Sequence, residues 1–394
     1  MSEIGIQSVL SQEAESAPRP VLLPSPGLGA WLEEMGGSIV FTTYQNSRVF
    51  FLSGDGQGGT VAQERIVGSA MGLAVDNDKL WITNKEQAWR FVNVGPRTIK
   101  NAEDDTETAF DAVFMPRFGV FLGPCDTHDV LTNIEHAGER HELLFVNTAF
   151  SCVSSIDAHY NFVPQWKPPF ISAIGPGDRC HLNGMGARDG KLAFATACAV
   201  TDTAGAWRER KAGGGVLIDV QQNAVIAEGF SMPHSPRWHE GRLWVLDSGV
   251  GDFGFVDPAS GAFERVALCP GFARGMTIVG NCAVIGLSQL RPNTFSSGLP
   301  IKERLESLRV AQRCGLLIID LTTGKTLHWL TIQGISELYD TAFLSGIRRP
   351  YTPGFSEPER HRQWLNIPDS AAFPTDFRTP TQAAADQSAP GASL

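Results

Sequence analysis

The chain has 394 residues, 42% of them hydrophobic, with a formal net charge of −10 and a pI near 5.4. That composition supplies a core, and its acidic balance excludes nucleic acid and an anionic membrane as main partners, since both need basic patches. The seven cysteines (Cys125, Cys152, Cys180, Cys198, Cys269, Cys282 and Cys314) are odd in number, widely spaced and free of any Cys-x-x-Cys, so a reduced cytoplasmic setting is expected rather than a disulfide framework.

Residues 1–27 read as a flexible, polar, acidic tail with no secretion signal, and no apolar run is long enough to span a membrane. A short helix is predicted over 28–35, ended by Gly36-Gly37. Residues 38–44 and 48–53 form a hairpin around Gln45-Asn46-Ser47, and another strand follows near 61–67. Strands are then expected at 70–75, 79–84, 88–94 and 112–116, with an acidic loop at 103–107. The next set begins at Thr127, passes through 143–148 and 152–157, and ends at 161–165. A third runs from His181 through 191–197, 215–220 and 225–229, split by the charged loop 201–214. A fourth covers 234–268. A fifth starts near Arg274, includes 281–287, 315–320 and 325–332, and carries an inserted helix over 299–313 with Leu305, Leu308 and Ala311 on one side. A last inner strand is expected at 339–344. Residues 356–394 form a C-terminal extension, expected to be disordered from about 369.

One pattern recurs through this order. Met71 to Leu80, Asn183 to Leu192 and His234 to Leu243 each read as strand, tight polar turn, strand, with Asn77-Asp78, Asp189-Gly190 and Glu240-Gly241 at the turns. Hairpins recurring at roughly 40–50 residues mark a propeller, one blade per repeat. The fold expected is all-β, a single β-propeller over 28–355, with six blades. The strands at 38–67 lack an inner partner and the strand at 339–344 lacks outer ones, so joining them closes one blade from both ends of the chain and removes exposed edges. Seven blades is the alternative if 85–125 divides differently.

Aligning the inner strands gives a column of Met71, His128, Asn183, His234, Arg274 and Asp340. Inner strands line a propeller's channel, so one residue per blade at equal height makes a ring, and convergent polar groups on a concave surface describe a binding site. Three readings are open. His128 and His234, with Asp340 or His181, hold a divalent metal (Fe, Zn, Mn or Cu). Or Arg274 grips an anionic group while a histidine acts as acid or base. Or the ring is a hydrogen-bonded plug with Arg274 and Asp340 as an ion pair. Asp129 flanks His128 and orients it or binds substrate, and Arg237 after His234 faces the channel or packs between blades. Cys180 beside His181 is weighed as a thiolate against an inert buried thiol. No dinucleotide loop, P-loop, zinc-protease motif or nucleophile elbow is present, so no nucleotide cofactor is expected.

The runs Phe41-Thr42-Thr43-Tyr44-Gln45, Asp178-Arg179-Cys180-His181-Leu182-Asn183-Gly184, Met232-Pro233-His234-Ser235-Pro236-Arg237-Trp238, Cys314-Gly315-Leu316-Leu317-Ile318-Ile319-Asp320 and Leu338-Tyr339-Asp340 resemble a family of bacterial conserved hypothetical proteins with no assigned function. The resemblance covers about 28–355. At fold level the chain is similar to six-bladed propellers of the gluconolactonase and senescence-marker type, some of which hold a metal in the channel. Those use a carboxylate-rich site, whereas this ring carries histidine and arginine, which argues against a calcium-type lactonase.

The expectation is an enzyme, of metal-dependent hydrolase or oxygenase type, acting on a small molecule or peptide side chain at the channel mouth. His128, His234, Asp340 and His181 are the candidate catalytic groups, the first three also the candidate metal ligands. Arg274, Asn183, Asp129 and Arg237 are the candidate substrate contacts, and residues 201–214 and 299–313 the candidate lids. The alternative is a non-catalytic propeller that docks a ligand or a partner protein.

Overall fold

In the hairpins, Asn77, Asp189 with Gly190, and Glu240 with Gly241 all adopt left-handed φ angles of 47–78°. These are the conformations that tight hairpin turns need, and Asn, Asp and Gly adopt them most readily. The computed structural model describes residues 20–100, 105–290, 296–355 and 357–365. The tail before residue 20, two residues of the acidic loop (103 and 104) and the stretch expected to be disordered from 369 lie outside the described residues.

The described chain begins with β1 (Val21–Pro24) and α1 (Leu28–Met35), then β2 (Gly37–Thr43), β3 (Arg48–Gly54) and β4 (Thr60–Ile66). Next come β5 (Leu73–Asp76), β6 (Lys79–Thr83), β7 (Gln87–Asn93), the small hairpin β8 (Arg97–Lys100) and β9 (Glu107–Phe110), and β10 (Ala112–Phe121). They are followed by β11 (Thr127–His136), β12 (Glu139–Asn147), β13 (Cys152–Ser155) and β14 (Val163–Trp166). The pattern repeats in β15 (Leu182–Arg188), β16 (Lys191–Ala197), β17 (Gly215–Asp219) and β18 (Ala224–Phe230), with a 3-10 turn at Ala206–Glu209. It repeats again in β19 (Pro233–His239), β20 (Arg242–Asp247), β21 (Asp252–Val256) and β22 (Phe263–Leu268). The remaining elements are β23 (Phe272–Val279), β24 (Cys282–Ser288), α2 (Ile301–Leu308), β25 (Gly315–Asp320), β26 (Thr326–Gln333), β27 (Thr341–Ser345), β28 (Pro350–Tyr351) and α3 (Pro358–Gln363).

Antiparallel pairing follows the chain: β11-β12-β13-β14, β15-β16-β17-β18, β19-β20-β21-β22 and β23-β24-β25-β26. The group β5-β6-β7-β10 adds β28 in parallel, and β1 extends β26 at an outer edge. Thus Val21–Pro24, part of the expected tail, is a strand. Its apolar Leu22 packs with Ile332 and Leu330 instead of facing water. The group β27-β2-β3-β4 joins both ends of the propeller, with Phe41 opposite Thr341 and Gly37 opposite Ser345. First strands touch in a closed circuit, β5 to β11, β15, β19, β23, β27 and back to β5. That circuit around a central channel is a β-propeller.

The apolar core lies between neighbouring sheets. Val40, Val49 and Phe51 meet Leu73, Ile82, Phe91 and Phe114, while Phe194 and Leu217 meet Leu243, Val245 and Val256. Each such side chain contributes about 1.5–3 kcal/mol on burial. The inserted helix is shorter than 299–313. Arg309 turns left-handed at φ 55°, and Val310 N–H bonds back to Leu305 O at 2.9 Å. Beyond Leu305 its apolar positions find no core, since Leu308 is 52% exposed. The chain divides into two units, Met1–Ser356 and Glu357–Leu394. In the second, α3 carries the ion pairs Arg360–Glu357 and Arg362–Glu359. Among the described residues no helix is long and apolar enough to cross a membrane.

Four inner strands carry β-bulges. Register shifts fall between Thr127 and Val130, between Leu182 and Gly184 and again between Gly186 and Ala187, between His234 and Arg237, and between Ala273 and Met276. A bulge breaks strict alternation and re-aims side chains. At the last of these, Gly275 has φ 71°, and a Cβ there would stand 2.5 Å from the Cα of Asp340, just before the next inner strand. Gly275→Ala is expected to lose at least ~1–3 kcal/mol by chemical denaturation, the cost of a strained backbone. A loss within the roughly 0.5 kcal/mol of a neutral surface change would show that the strands do not need this close approach.

Candidate functional site

Among the described residues a hydroxyl stands at, or within one residue of, the end of the second strand of each group around the channel: Thr42, Thr83, Thr148, Thr196, Ser248 and Ser288, all buried. Four of them tie adjacent sheets together. Thr42 Oγ1 donates to Met71 O at 2.5 Å, Thr148 Oγ1 to Leu182 O at 2.7 Å, Ser248 Oγ to Ala273 O at 2.5 Å and Ser288 Oγ to Leu338 O at 2.8 Å. The sequence signal was available as Ser or Thr closing each apolar second strand, as in Ile82-Thr83 and Leu287-Ser288, and sequence reasoning missed it.

These hydroxyls fix two histidines. His128 Nδ1 lies 2.8 Å from Asp126 O and 2.7 Å from Thr148 Oγ1. A carbonyl only accepts, and Thr148 has given its proton to Leu182 O, so Nδ1 carries the proton and Nε2 holds the lone pair. His234 repeats this arrangement, with Nδ1 2.9 Å from Met232 O and 3.0 Å from Ser248 Oγ. The two differ at Nε2. In His234 it accepts from Asn183 Nδ2 at 3.3 Å, and the ring is 3% exposed. In His128 it has no hydrogen-bond partner among the described residues, and the ring is half-buried. Burial pushes His128 down to about 3, with help from His181 and Arg274. Burial, then Arg274, holds His234 well below the usual range. Both rings are neutral at pH 7.

His181 has φ 50°, and its Nδ1–H donates to Asp178 Oδ2 at 2.9 Å. Trp207 Nε1, in the 3-10 turn, donates to the same oxygen at 2.8 Å. Burial acts to raise the Asp178 carboxyl, but His181 and these hydrogen bonds leave it below the usual carboxylate range. The His181 ring stacks on Trp207 at 4.0 Å and meets His128 edge-on at 5.0 Å. Tyr339 approaches the other side of His128 at 5.6 Å, with Tyr44 beyond it at 6.1 Å. Arg274 lies over Tyr339 at 4.6 Å and pairs with Glu337, both almost fully buried. Cys180 is fully buried and pushed up to about 12 by that burial, which disfavours the thiolate. The two candidate lids share one apolar cluster, in which Trp207 packs with Cys198, Met232, Phe272, Leu299, Ile301 and Leu305.

A second charged group centres on Arg237 and Asp129. Arg237 Nη1 and Nη2 bind Asp129 Oδ2 and Oδ1 at 2.9 and 3.0 Å, and its remaining donors reach Met185 O, Pro236 O and Met276 O. Asp340 accepts from Leu73 N and Thr341 N, both at 2.8 Å. Burial and the nearby Asp129 raise Asp340 to about 7, against the pull of Arg237.

The sequence-predicted residues therefore fall into two groups. His128 and His181 meet, as do His234 and Asn183. Arg274 lies near His128 and His234 but pairs with Glu337 rather than Asp340. Asp129, Arg237 and Asp340 form their own group. Among the described residues no three His, Cys, Asp or Glu side chains cluster to hold a metal, and His128, His234 and Asp340 are not brought together as ligands. Sequence reasoning did not single out Thr148, Trp207, Glu337 or Tyr339.

A family model described as a domain of unknown function, DUF4915, matches residues 26–352. The chain belongs to the DUF4915 family. No curated protein matches it. Solved structures similar to this DUF4915 chain include a nidogen/laminin complex, at 11% identity over 79% of this chain and 99% of that one, TM-score 0.47. A protein of unknown function from Bacteroides caccae is similar at 10% identity over 78% and 99%, TM-score 0.45. The Pan2 WD40 domain of Neurospora crassa is similar at 12% identity over 66% and 64%, TM-score 0.34.

Proposed function

We propose that this protein is a six-bladed propeller whose channel mouth binds a small molecule through His128. The supporting observation is the contrast between two identically framed histidines: Asn183 occupies the lone pair of His234, and that of His128 has no partner among the described residues. A neutral imidazole held at Nδ1 presents Nε2 as an acceptor for a hydroxyl, amide or acidic proton. His181, Tyr339 and the Arg274–Glu337 pair shape the surroundings of that atom. In this reading His128 recognises the ligand by accepting a hydrogen bond at Nε2, His234 holds the wall, and Asp178 orients His181. The buried free cysteines support a reducing, cytoplasmic setting.

The test is a thermal-shift screen of small polar acids, alcohols and amides on wild type and His128→Ala. Ligands that stabilise wild type are expected to bind His128→Ala about tenfold or more weakly, equivalent to about 1.4 kcal/mol. Their affinity for wild type is expected to stay level from pH 5 to 8 and to fall near pH 3, where His128 gains its proton. Ligands that bind both proteins equally, or an affinity that changes near pH 6.5, would overturn the reading.

A further inference from the structure

A second concave surface adjoins the void beside Arg274 and Glu337. It is a groove of about 630 Å³ between the β2–β3 turn and the ends of β25 and β26. That volume is within the range of small-ligand sites. Its walls carry an unusual run of side-chain amides: Gln45, Asn46, Gln289, Gln312 and Gln333. Neither a carboxylate nor an aromatic ring lines it among the described residues, although the chain carries 42 acidic residues. One cation, Arg313, is present.

Two of the amides are half-used. Gln45 Oε1 accepts from Ser336 Oγ at 2.8 Å, and Gln312 Oε1 accepts from Leu290 N at 3.0 Å, while neither NH2 group has a partner among the described residues. The side chains of Asn46, Gln289 and Gln333 make no hydrogen bond with the described residues. Each carboxamide offers two donors and an acceptor, the same groups a peptide bond presents. At the groove's edge β26 ends, its last pair being Gln333 with Val21, and Gly334 turns away at φ 85°.

This surface discriminates between ligand classes. A sugar ring is usually gripped against an aromatic face, and none lines the groove among the described residues. A strongly anionic ligand would meet one exposed arginine and four glutamines. A row of unused amides over an uncharged floor of Ile332 and Ile335 matches the main chain of an extended peptide. We infer that this groove binds an extended, uncharged peptide segment, read mainly through its backbone. Gln289 also lines the small void beside Arg274 and Glu337, so groove and channel share a wall at that residue. The inference does not depend on His128.

The test uses phage-displayed random peptides selected on the full-length protein. The enriched sequences, remade as synthetic peptides, are measured on wild type, Gln289→Ala/Gln333→Ala and His128→Ala. These glutamines are exposed, so the double variant is expected to melt with wild type. Uncharged sequences are expected to enrich, to bind the double variant about tenfold more weakly, and to bind His128→Ala unchanged. A selection that enriches nothing over the bare support, peptides indifferent to the double variant, or binding of neutral oligosaccharides on the same glutamines in place of peptides would each overturn the proposal. Peptides lost only in His128→Ala would assign them to the channel mouth instead.

Discussion

Replacing Arg237 by methionine is expected to destabilise the protein by about 3–5 kcal/mol, the usual cost of stranding one member of a buried ion pair. The Arg237 side chain is 20% exposed and that of Asp129 is 5% exposed. The guanidinium makes a two-pronged pair with Asp129 and donates to three backbone carbonyls contributed by β15, β19 and β23. Methionine preserves much of the volume and removes every one of those bonds. It also removes the cation that holds Asp340 down, so the Asp340 carboxyl moves further up beside Asp129. Urea unfolding of wild type, Arg237→Met and Arg237→Met/Asp129→Asn decides the matter. The second substitution is expected to recover part of the loss, because a neutral amide is cheaper to leave buried than a carboxylate. A single-variant loss well under 1 kcal/mol, or no recovery in the double variant, would mean the pair is solvated and contributes little.

Asp340→Asn is expected to gain stability relative to wild type as pH rises from about 4 to 7, then to hold that advantage at higher pH. In the unfolded chain Asp340 titrates near the ordinary carboxylate value of about 3.9. In the folded protein burial and Asp129 raise it to about 7. Between those values the native state holds a proton that the unfolded state has released, so wild type weakens as pH rises, by up to about 1.4 kcal/mol per pH unit. Asparagine cannot ionise and loses that slope. Other groups titrate in the same window. Asp247 is raised to about 7 and acts in the same direction, while the depressed histidines act in the opposite one, since His128 falls to about 3 and stability is lost there as pH drops. The difference between variant and wild type cancels these contributions. Its slope between pH 5 and 7, from urea unfolding, is therefore the quantity to measure. A flat difference would show that Asp340 titrates like an exposed carboxylate.

The hairpins were legible because a two-residue turn reports its own backbone conformation. Asp189-Gly190 between two apolar runs admits few structures, and both runs are strands where expected. The polar column was legible in part for the same reason: Asn183 and His234 open equivalent strands and do meet at 3.3 Å. What the hairpins could not reveal was the effect of the bulges. Regular alternation would send His128 and Asp129 to opposite faces. The shift between Thr127 and Val130 instead lets His128 reach Thr148 while Asp129 reaches Arg237, 108 positions away in sequence. Pairing Arg274 with Asp340 failed for a related reason, since Glu337 precedes β27 in an irregular stretch that carries no periodic signal. The helix end at Leu308 was missed because amphipathic spacing continues through Ala311 although nothing remains for those residues to pack against.

The pairing of β2 with β27 sets an order of events at the ribosome. β2, β3 and β4 emerge early, yet the inner edge of β2 has no partner until Thr341–Ser345 has been synthesised. Throughout that interval Gly37–Thr43, buried along its whole length in the finished protein, presents an open strand edge to every neighbouring chain. A stalled or prematurely terminated message would release that edge permanently, making such products candidates for aggregation and chaperone capture. A circular permutant that begins at β27 and continues directly into β2 would complete this sheet first, and would protect the nascent chain from its earliest strands onward.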